Sequence, residues 1–172
     1  MNKLLLSQLS CFTRVNIPKY IEAKIQIIAL KHLDLPDMGK LRDRMEGQLY
    51  YSKLKNDIFS EYAFESSIGI KNFDWEKRSI KNYERKKYIF GDKILNIISF
   101  DNDNLPQISA ENFTNCIFVH VNTDNRVLLS GLATKSLLYE LVKKNNSKII
   151  EIAEFKNLIV FSTIDQLILK ME

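Results

Sequence analysis

Hydrophobic positions in the first third of the chain recur with the period of an α-helix. Across residues 19–33 they fall at i, i+4, i+7 and i+8, starting from Ile21, and Pro18 precedes them where a first-turn proline is tolerated. A second run of helical period follows a turn that contains proline and glycine. The pattern predicts one helix over 19–33 and a longer one over 40–66, with Gly47 as its weak point.

Three carboxylates mark one face of the longer predicted helix. Asp57, Glu61 and Glu65 stand at i, i+4 and i+8, a spacing at which like charges repel. The ordinary interpretation is a solvated acidic face, since helix surfaces are usually charged. The alternative is that cations or a metal ion face the row.

After Gly69 the pattern changes to short runs rich in β-branched and aromatic residues, which are typical of strands. The predicted strands cover residues 88–90, 94–100, 116–121, 127–129, 149–152 and 158–161. Turn residues at 91–93 and 122–126 predict two hairpins, and therefore antiparallel neighbours. Helical patterns return at 134–144 and at 162–170, where Ser162 or Thr163 supplies the cap.

This order of elements predicts an α+β fold, with N-terminal helices followed by a central mixed, largely antiparallel sheet flanked by helices. At 172 residues the chain is long enough to bury one core. We divide it into an N-terminal helical extension, residues 1–38, and an α+β domain, residues 39–172.

Positive charge is concentrated in the middle of the sequence. Residues 71–93 carry eight Lys or Arg and four Asp or Glu, which leaves 17 of the 25 basic and 17 of the 21 acidic residues elsewhere. Phe73, Trp75, Tyr83, Tyr88 and Phe90 are interspersed among these cations. Cations with interspersed rings are typical of a surface that binds a polyanion such as DNA or RNA.

The residues predicted to contact nucleic acid are Lys71, Trp75, Lys77, Arg78, Lys81, Tyr83, Arg85, Lys86 and Lys87. In one alternative, the aromatic residues of this segment belong to the core and the lysines point to water. In another, Lys81, Arg85 and Lys87 face the acidic row of the long helix, which cancels much of the external field.

Other classes of function find little support in the sequence. The two cysteines do not have metal-ligand spacing, and the two histidines are interpreted as packed residues rather than catalytic bases. The glycines form no phosphate-binding loop. No apolar run is long enough to cross a membrane, and we expect a cytoplasmic protein without a membrane partner.

The succession of elements over residues 47–161 resembles the PD-(D/E)XK nuclease-like superfamily. Glu61, in Ser60–Glu61–Tyr–Ala–Phe, corresponds to the helix acid, and Cys116–Gly131 forms a strand, turn and strand in keeping with that core. The resemblance implies a restriction-endonuclease-like core. In such enzymes two carboxylates bind Mg²⁺, which activates water, and a lysine lies near the attacking water.

Two alignments of that motif are available. In the one that the strand pattern favours, Asn96 stands at the position of the Glu and Ile98 at that of the Lys, and neither residue can perform the chemistry. In the other, Asp74, Glu84 and Lys86 form Asp-x9-Glu-x-Lys. Glu61, Asp74, Glu84 and Lys86 are then the catalytic residues, with Mg²⁺ bound by the three carboxylates. The alternative interpretation of Glu84 and its neighbours is an exposed, salt-bridged surface.

The sequence therefore predicts a nucleic-acid-associated protein that binds DNA or RNA backbone through residues 71–93 and lacks an intact catalytic motif. No cofactor is predicted, except Mg²⁺ if the chain is catalytic. Two alternatives stay open: an active Mg²⁺-dependent endonuclease, and a non-catalytic interaction subunit of a larger protein or nucleoprotein assembly.

Overall fold

A computed structural model describes residues 6–41, 45–81, 83–102, 104–109, 113–122, 126–145 and 149–172. A 3₁₀ turn spans Leu9–Cys11. The helices, in chain order, are α1 (Lys19–His32), α2 (Met38–Leu41), α3 (Met45–Ser67), α4 (Trp75–Ser79), α5 (Lys135–Asn145) and α6 (Ile164–Lys170). The strands are β1 (Thr13–Val15), β2 (Lys87–Phe90), β3 (Lys93–Phe100), β4 (Gln107–Ser109), β5 (Asn115–Val121), β6 (Val127–Ala133) and β7 (Ile149–Glu151).

Five strands form one mixed sheet in the order β1-β6-β5-β3-β2. Its one parallel pair among the described strands is β3 with β5, and the other neighbours are antiparallel. Strand β5 is buried along its whole length, as expected for the centre of a sheet covered on both faces. Strands β4 and β7 form a separate antiparallel pair.

Helices cover both faces of the sheet. The apolar residues of α1 and α3, such as Ile25 and Ile58, pack with Leu95, Ile97 and Ile117 on one face. Leu138 of α5 packs on the other face against a second cluster, to which β4 and β7 also contribute. The alternation of side chains along β3 and β5 assigns successive residues to these two clusters.

Strand β2 covers only the first half of β3. Its register places Lys87 opposite Asn96 and Phe90 opposite Lys93, with the tight turn at Gly91, whose φ is 65°. The edge of β3 beyond Asn96 is therefore not paired by β2. The candidate site lies beside this uncovered edge.

The structure confirms the predicted α+β class with a mixed sheet and flanking helices. Helix α3 runs through Gly47 without a break, so the weak point predicted there is wrong. Thr163 caps α6, as predicted for one of two candidates. The predicted strand over 158–161 is reduced to a single bridge between Ile159 and Leu132. The restriction-endonuclease-like core stays a prediction.

Within the stretch predicted as an N-terminal extension, residues 1–38, the described residues 13–32 contribute to the same sheet and core as the rest of the chain. Strand β1 pairs with β6, and Ile21, Ile25 and Ile28 of α1 lie in the same buried cluster as α3. No helix in the described ranges is both long enough and apolar enough to pass through a membrane.

Candidate nucleic-acid interface

The acidic row of the long helix lies in the interior. Asp57 is 8% exposed, Glu61 0% and Glu65 2%, so the interpretation as a solvated face is wrong. Burial of three carboxylates is tolerated only if cations and hydrogen-bond donors compensate them. Cations of the 71–93 segment do face the row, but of the three that the alternative interpretation named only Arg85 does so. Lys81 pairs with Asp34 and Lys87 is exposed, and Arg78 and Lys86 supply the other contacts.

Arg78 is the most deeply buried of these cations, with an exposed fraction of 0%. Its Nε donates to Glu61 Oε2 at 2.8 Å and its Nη2 to Glu65 Oε1 at 2.8 Å. Burial alone would lower the pKa of the guanidinium, but the charges of Glu61 and Glu65 raise that pKa above its ordinary value. A planar fork that meets two carboxylates at once is a role for arginine rather than lysine.

Helix α4 delivers Arg78 to this position. Asp74 caps the helix by accepting from the Lys77 amide at 3.0 Å, and its own carbonyl accepts from Arg78 Nη1 at 3.1 Å. Phe73 and Trp75 pack on Tyr62 of α3, with ring centroids 5.4 and 5.9 Å away. The short helix is thereby fixed on α3, with Arg78 directed inward.

Both carboxylates accept further donors, Glu61 on its other oxygen and Glu65 on the oxygen that also accepts from Arg78. Glu61 Oε1 accepts from the Tyr83 hydroxyl and, at 2.8 Å, from the Lys86 amide. Glu65 Oε1 accepts from Lys86 Nζ and from the Tyr88 hydroxyl, both at 2.9 Å. Burial, reinforced by the carboxylate charges, raises the pKa of both tyrosines well above the usual range, so both stay protonated donors.

Arg85 pairs with the third carboxylate of the row. Its Nη2 donates to Asp57, which also accepts from the Ser99 hydroxyl, and its Nη1 donates to the Ile97 carbonyl at 2.9 Å. Arg85 thus satisfies one backbone carbonyl on the part of β3 that β2 leaves uncovered. We call Asp57, Glu61, Glu65, Arg78, Arg85 and Lys86, with Tyr83 and Tyr88, the ion network.

The eight cations of the 71–93 segment do not form one outward-facing set. Arg78, Arg85 and Lys86 belong to the ion network, and Lys93 donates to the Met171 and Ile168 carbonyls at 2.6 and 3.1 Å. Lys81 is exposed and pairs with Asp34 at 2.7 Å. Lys71, Lys77 and Lys87 are exposed. The predicted contact of Arg78 with nucleic acid is corrected, because this residue has no exposed surface.

The aromatic residues of the segment also lie largely inside. Tyr88 is buried, and Phe73, Trp75, Tyr83 and Phe90 are partly buried against the core, as one alternative predicted. Lys24 Nζ lies 4.3 Å from the centroid of the Trp75 ring. Trp75 is therefore placed as a packing residue, with a cation over one part of its surface.

The carboxylates predicted to bind Mg²⁺ are not assembled as a metal site. Glu61 is saturated by the ion network, Asp74 is an exposed helix cap, and Glu84 is exposed. Among the described residues, no group of three or more His, Cys, Asp or Glu is arranged to hold a metal ion. Lys86, the predicted catalytic lysine, is bound to Glu65 at 2.9 Å.

A hollow of about 550 Å³ opens beside the ion network, between α3, the segment that enters β2, and the uncovered edge of β3. Its lining contains three cations, two carboxylates, two tyrosines, an amide and two aliphatic residues. They are Lys53, Arg85, Lys87, Asp57, Glu84, Tyr50, Tyr83, Asn96, Leu54 and Ile98. Because Asp57 is already paired with Arg85, the exposed charges that remain are two lysines against Glu84.

Sequence reasoning missed Tyr50 and Lys53 as site residues. A signal was present, because Tyr50, Lys53 and Asp57 are spaced at i, i+3 and i+7 and therefore share one helix face. Extending the acidic row toward the helix N-terminus would have reached both. The two residues that the favoured alignment placed at degenerate catalytic positions, Asn96 and Ile98, also line the hollow.

His120 and Cys116 of β5 do not form a nucleophilic pair. Burial raises the pKa of the Cys116 thiol to about 11, and this thiol contacts the Thr114 carbonyl at 3.2 Å. The His120 Nε2 lies 3.0 Å from Asn102 Oδ1, and its Nδ1 is buried without a hydrogen-bond partner among the described residues. Cys116 belongs to the second cluster, and the His120 ring packs on Phe100 of that cluster at a centroid distance of 5.1 Å, as interpreted from the sequence for the histidine.

Comparison with known proteins does not extend this description. The chain matches no protein-family model, no curated protein and no solved structure. Function is therefore inferred from the geometry and the charges of the hollow.

Proposed function

We propose that this protein binds the backbone of DNA or RNA at the hollow beside the ion network, without an intact catalytic motif. The observation that carries the proposal is that three cations from separate elements line one concavity: Lys53 of α3, Arg85 of the loop before β2, and Lys87 of β2. A concave site with cations from separate elements is suited to a phosphate group and its neighbours.

The cations that line the hollow favour an anionic ligand. Lys53 and Lys87 are exposed and have no ion-pair partner within the described part of the chain, so both ammonium groups can approach a phosphate. Arg85 has 31% of its side chain exposed and is held by Asp57. Its position is thus fixed before any ligand arrives, which lowers the entropic cost of binding.

The resemblance to the PD-(D/E)XK nuclease-like superfamily supports the same location. Asn96 and Ile98, at the positions of the catalytic Glu and Lys, line the hollow together with Asp57 of α3. An amide is a poor ligand for Mg²⁺, and an isoleucine transfers no proton. On this proposal the site binds nucleic acid and does not cleave it.

We do not propose the Mg²⁺-dependent endonuclease formed by Glu61, Asp74, Glu84 and Lys86. Glu61 accepts from Arg78, Tyr83 and the Lys86 amide, so its oxygens are not directed toward a cation in a cleft. Lys86 is directed at Glu65 rather than at an approaching water.

A salt titration tests the proposal. Binding of a fluorescently labelled single-stranded oligonucleotide is measured by anisotropy at several concentrations of NaCl, for the wild type and for Lys53→Ala/Lys87→Ala. We expect log K to fall linearly with log salt. The slope of the double variant should be smaller by about 0.7 for each phosphate that the protein no longer neutralises.

The matched control is Lys135→Ala/Lys144→Ala, which removes the same charge from α5 on the opposite face of the sheet. We expect its titration to coincide with that of the wild type. Absence of binding at low salt would contradict the proposal and leave the non-catalytic subunit of a larger assembly as the remaining hypothesis. Equal reductions of affinity in both double variants would indicate diffuse attraction and would also contradict a site at the hollow.

A further inference from the structure

The lining of the hollow includes aromatic and aliphatic side chains in addition to cations that can bind a phosphate. Besides its cations it presents the rings of Tyr50 and Tyr83 and the aliphatic side chains of Leu54 and Ile98. A duplex backbone offers only sugars and phosphates to such a surface, whereas an unpaired nucleotide also offers an aromatic face. We infer that the hollow accepts one unpaired nucleotide, with its base among the tyrosines and its phosphate near Lys53 and Lys87; this inference rests on the proposed function.

Tyr50 and Tyr83 differ in how firmly they are held and in how exposed they are. Tyr83 is held at both ends, since its amide donates to the Ile80 carbonyl at 3.1 Å and its hydroxyl donates to Glu61. Tyr50 lies on α3 and is 41% exposed, so its ring is available to a ligand. A fixed ring and an accessible ring are both suited to stack on a base at low conformational cost.

Glu84 distinguishes a nucleotide from a bare phosphate chain. Its carboxylate is exposed at the hollow and repels any phosphate that passes close to it. The same carboxylate accepts hydrogen bonds from amino groups on base edges, which are accessible when the base is unpaired. The carboxylate and the lysines thus favour opposite ends of one nucleotide.

The volume of the hollow is suited to a single nucleotide. A volume of about 550 Å³ lies within the range of sites that enclose small ligands. A base that is stacked and paired within a duplex reaches such a site only after it is extruded, which costs free energy. Single strands do not incur that cost, so we expect them to bind more tightly than duplexes.

The test compares three oligonucleotides of equal length: a single strand, its blunt duplex, and an abasic strand with the same number of phosphates. Each is titrated at low salt against the wild type, Tyr50→Ala and Lys53→Ala. Tyr20→Ala, at a residue of α1 that is 72% exposed, is the control for removal of a surface tyrosine. Circular dichroism verifies that all variants keep their helical content.

We expect the single strand to bind more tightly than the duplex, and Tyr50→Ala to weaken single-strand binding about 5- to 150-fold, the range for removal of one stacked base. Binding of the abasic strand should be insensitive to Tyr50→Ala and sensitive to Lys53→Ala. If the duplex binds as tightly as the single strand, or Tyr50→Ala has no effect, the inference is overturned while backbone binding stands. If none of the three binds, the proposed function fails as well.

Discussion

Lys86 and Lys87 are neighbours in the sequence and have opposite environments. Lys86 donates to the buried Glu65 as part of the ion network, whereas Lys87 starts β2 and is exposed at the hollow. Successive residues of an extended chain point to opposite sides, so one of the pair meets α3 and the other meets solvent. The two basic residues look equivalent in the sequence. Because side chains alternate along the strand, one joins the buried ion network and the other stays exposed at the hollow.

The ion network has the larger expected effect on stability, and Arg78→Met tests it. Removal of the guanidinium leaves Glu61 and Glu65 buried without their main counter-charge. Removal of one partner of a buried ion pair costs about 3 to 5 kcal/mol in the free energy of unfolding. Urea denaturation followed by circular dichroism measures the change.

The matched control for Arg78→Met is Lys77→Met, because Lys77 is the exposed neighbour on α4. We expect a change within about 0.5 kcal/mol for this surface substitution. Similar denaturation midpoints for the two variants would show that the buried and the exposed cation contribute equally to stability. That result would contradict the stabilising role of the ion network.

A smaller effect is expected from Tyr88→Phe, which removes one donor to Glu65 and keeps the ring in the core. A buried hydrogen bond to a charged group contributes about 1.5 to 3 kcal/mol to stability. Tyr20→Phe, at an exposed position, serves as the reference. An unchanged free energy of unfolding in Tyr88→Phe would mean that Glu65 is satisfied by Arg78 and Lys86 alone.

Acidification tests a buried group that lies outside both regions. Burial lowers the pKa of His120 in the folded state, against an opposing effect of the negative charge of Asp101. As pH falls below about 6.5, the unfolded chain takes up the proton first, so stability declines until the folded-state pKa is passed. One proton limits the slope to about 1.4 kcal/mol per pH unit.

The measurement is the free energy of unfolding from pH 7.5 downward, for the wild type and for His120→Asn. We expect the variant to lack the part of the slope that His120 contributes, whatever its stability at neutral pH. Parallel curves for the two proteins would show that His120 does not contribute to the acid sensitivity.

The hollow has the smallest expected effect on stability. Lys53→Ala/Lys87→Ala removes two exposed side chains that form no ion pair with a buried carboxylate, and we expect a change within about 0.5 kcal/mol. Urea denaturation measures the stability of this variant. The same substitution should weaken nucleic-acid binding, so its effects on stability and on binding are expected to differ. A decrease of more than about 1 kcal/mol in the free energy of unfolding would show that these lysines stabilise the fold.

Much of the fold followed from local patterns. The spacing of Ile21, Ile25 and Ile28 identified α1, and Gly91 identified the β2–β3 turn, because a helical stripe and a positive φ are properties of a few neighbouring residues. The weak point at Gly47 was predicted wrongly, since Gly47 lies in the first turn of α3, which begins at Met45, whereas the cost of a glycine applies to a helix interior.

The candidate site was less accessible from the sequence. The sequence offered Lys81, Arg85 and Lys87 as partners of the acidic row, and of these only Arg85 pairs with it. It did not say that Arg78, rather than Lys77, would reach Glu61 and Glu65. That choice depends on how Phe73 and Trp75 seat α4 on Tyr62, which is a tertiary contact. Tyr50 and Lys53 joined the hollow for the same reason, because α3 and the start of β2 meet only in the folded chain.

The short sequence separation within the ion network has a kinetic consequence. Arg78 lies 13 residues from Glu65 and 17 from Glu61, and Arg85 lies 28 from Asp57, whereas β1 pairs Thr13 with Leu129. Short loops lose little entropy when they close, so contacts of this kind form readily. We expect α3, α4 and the β2–β3 hairpin to assemble as an early folding unit, with β1 added to the opposite edge of the sheet late.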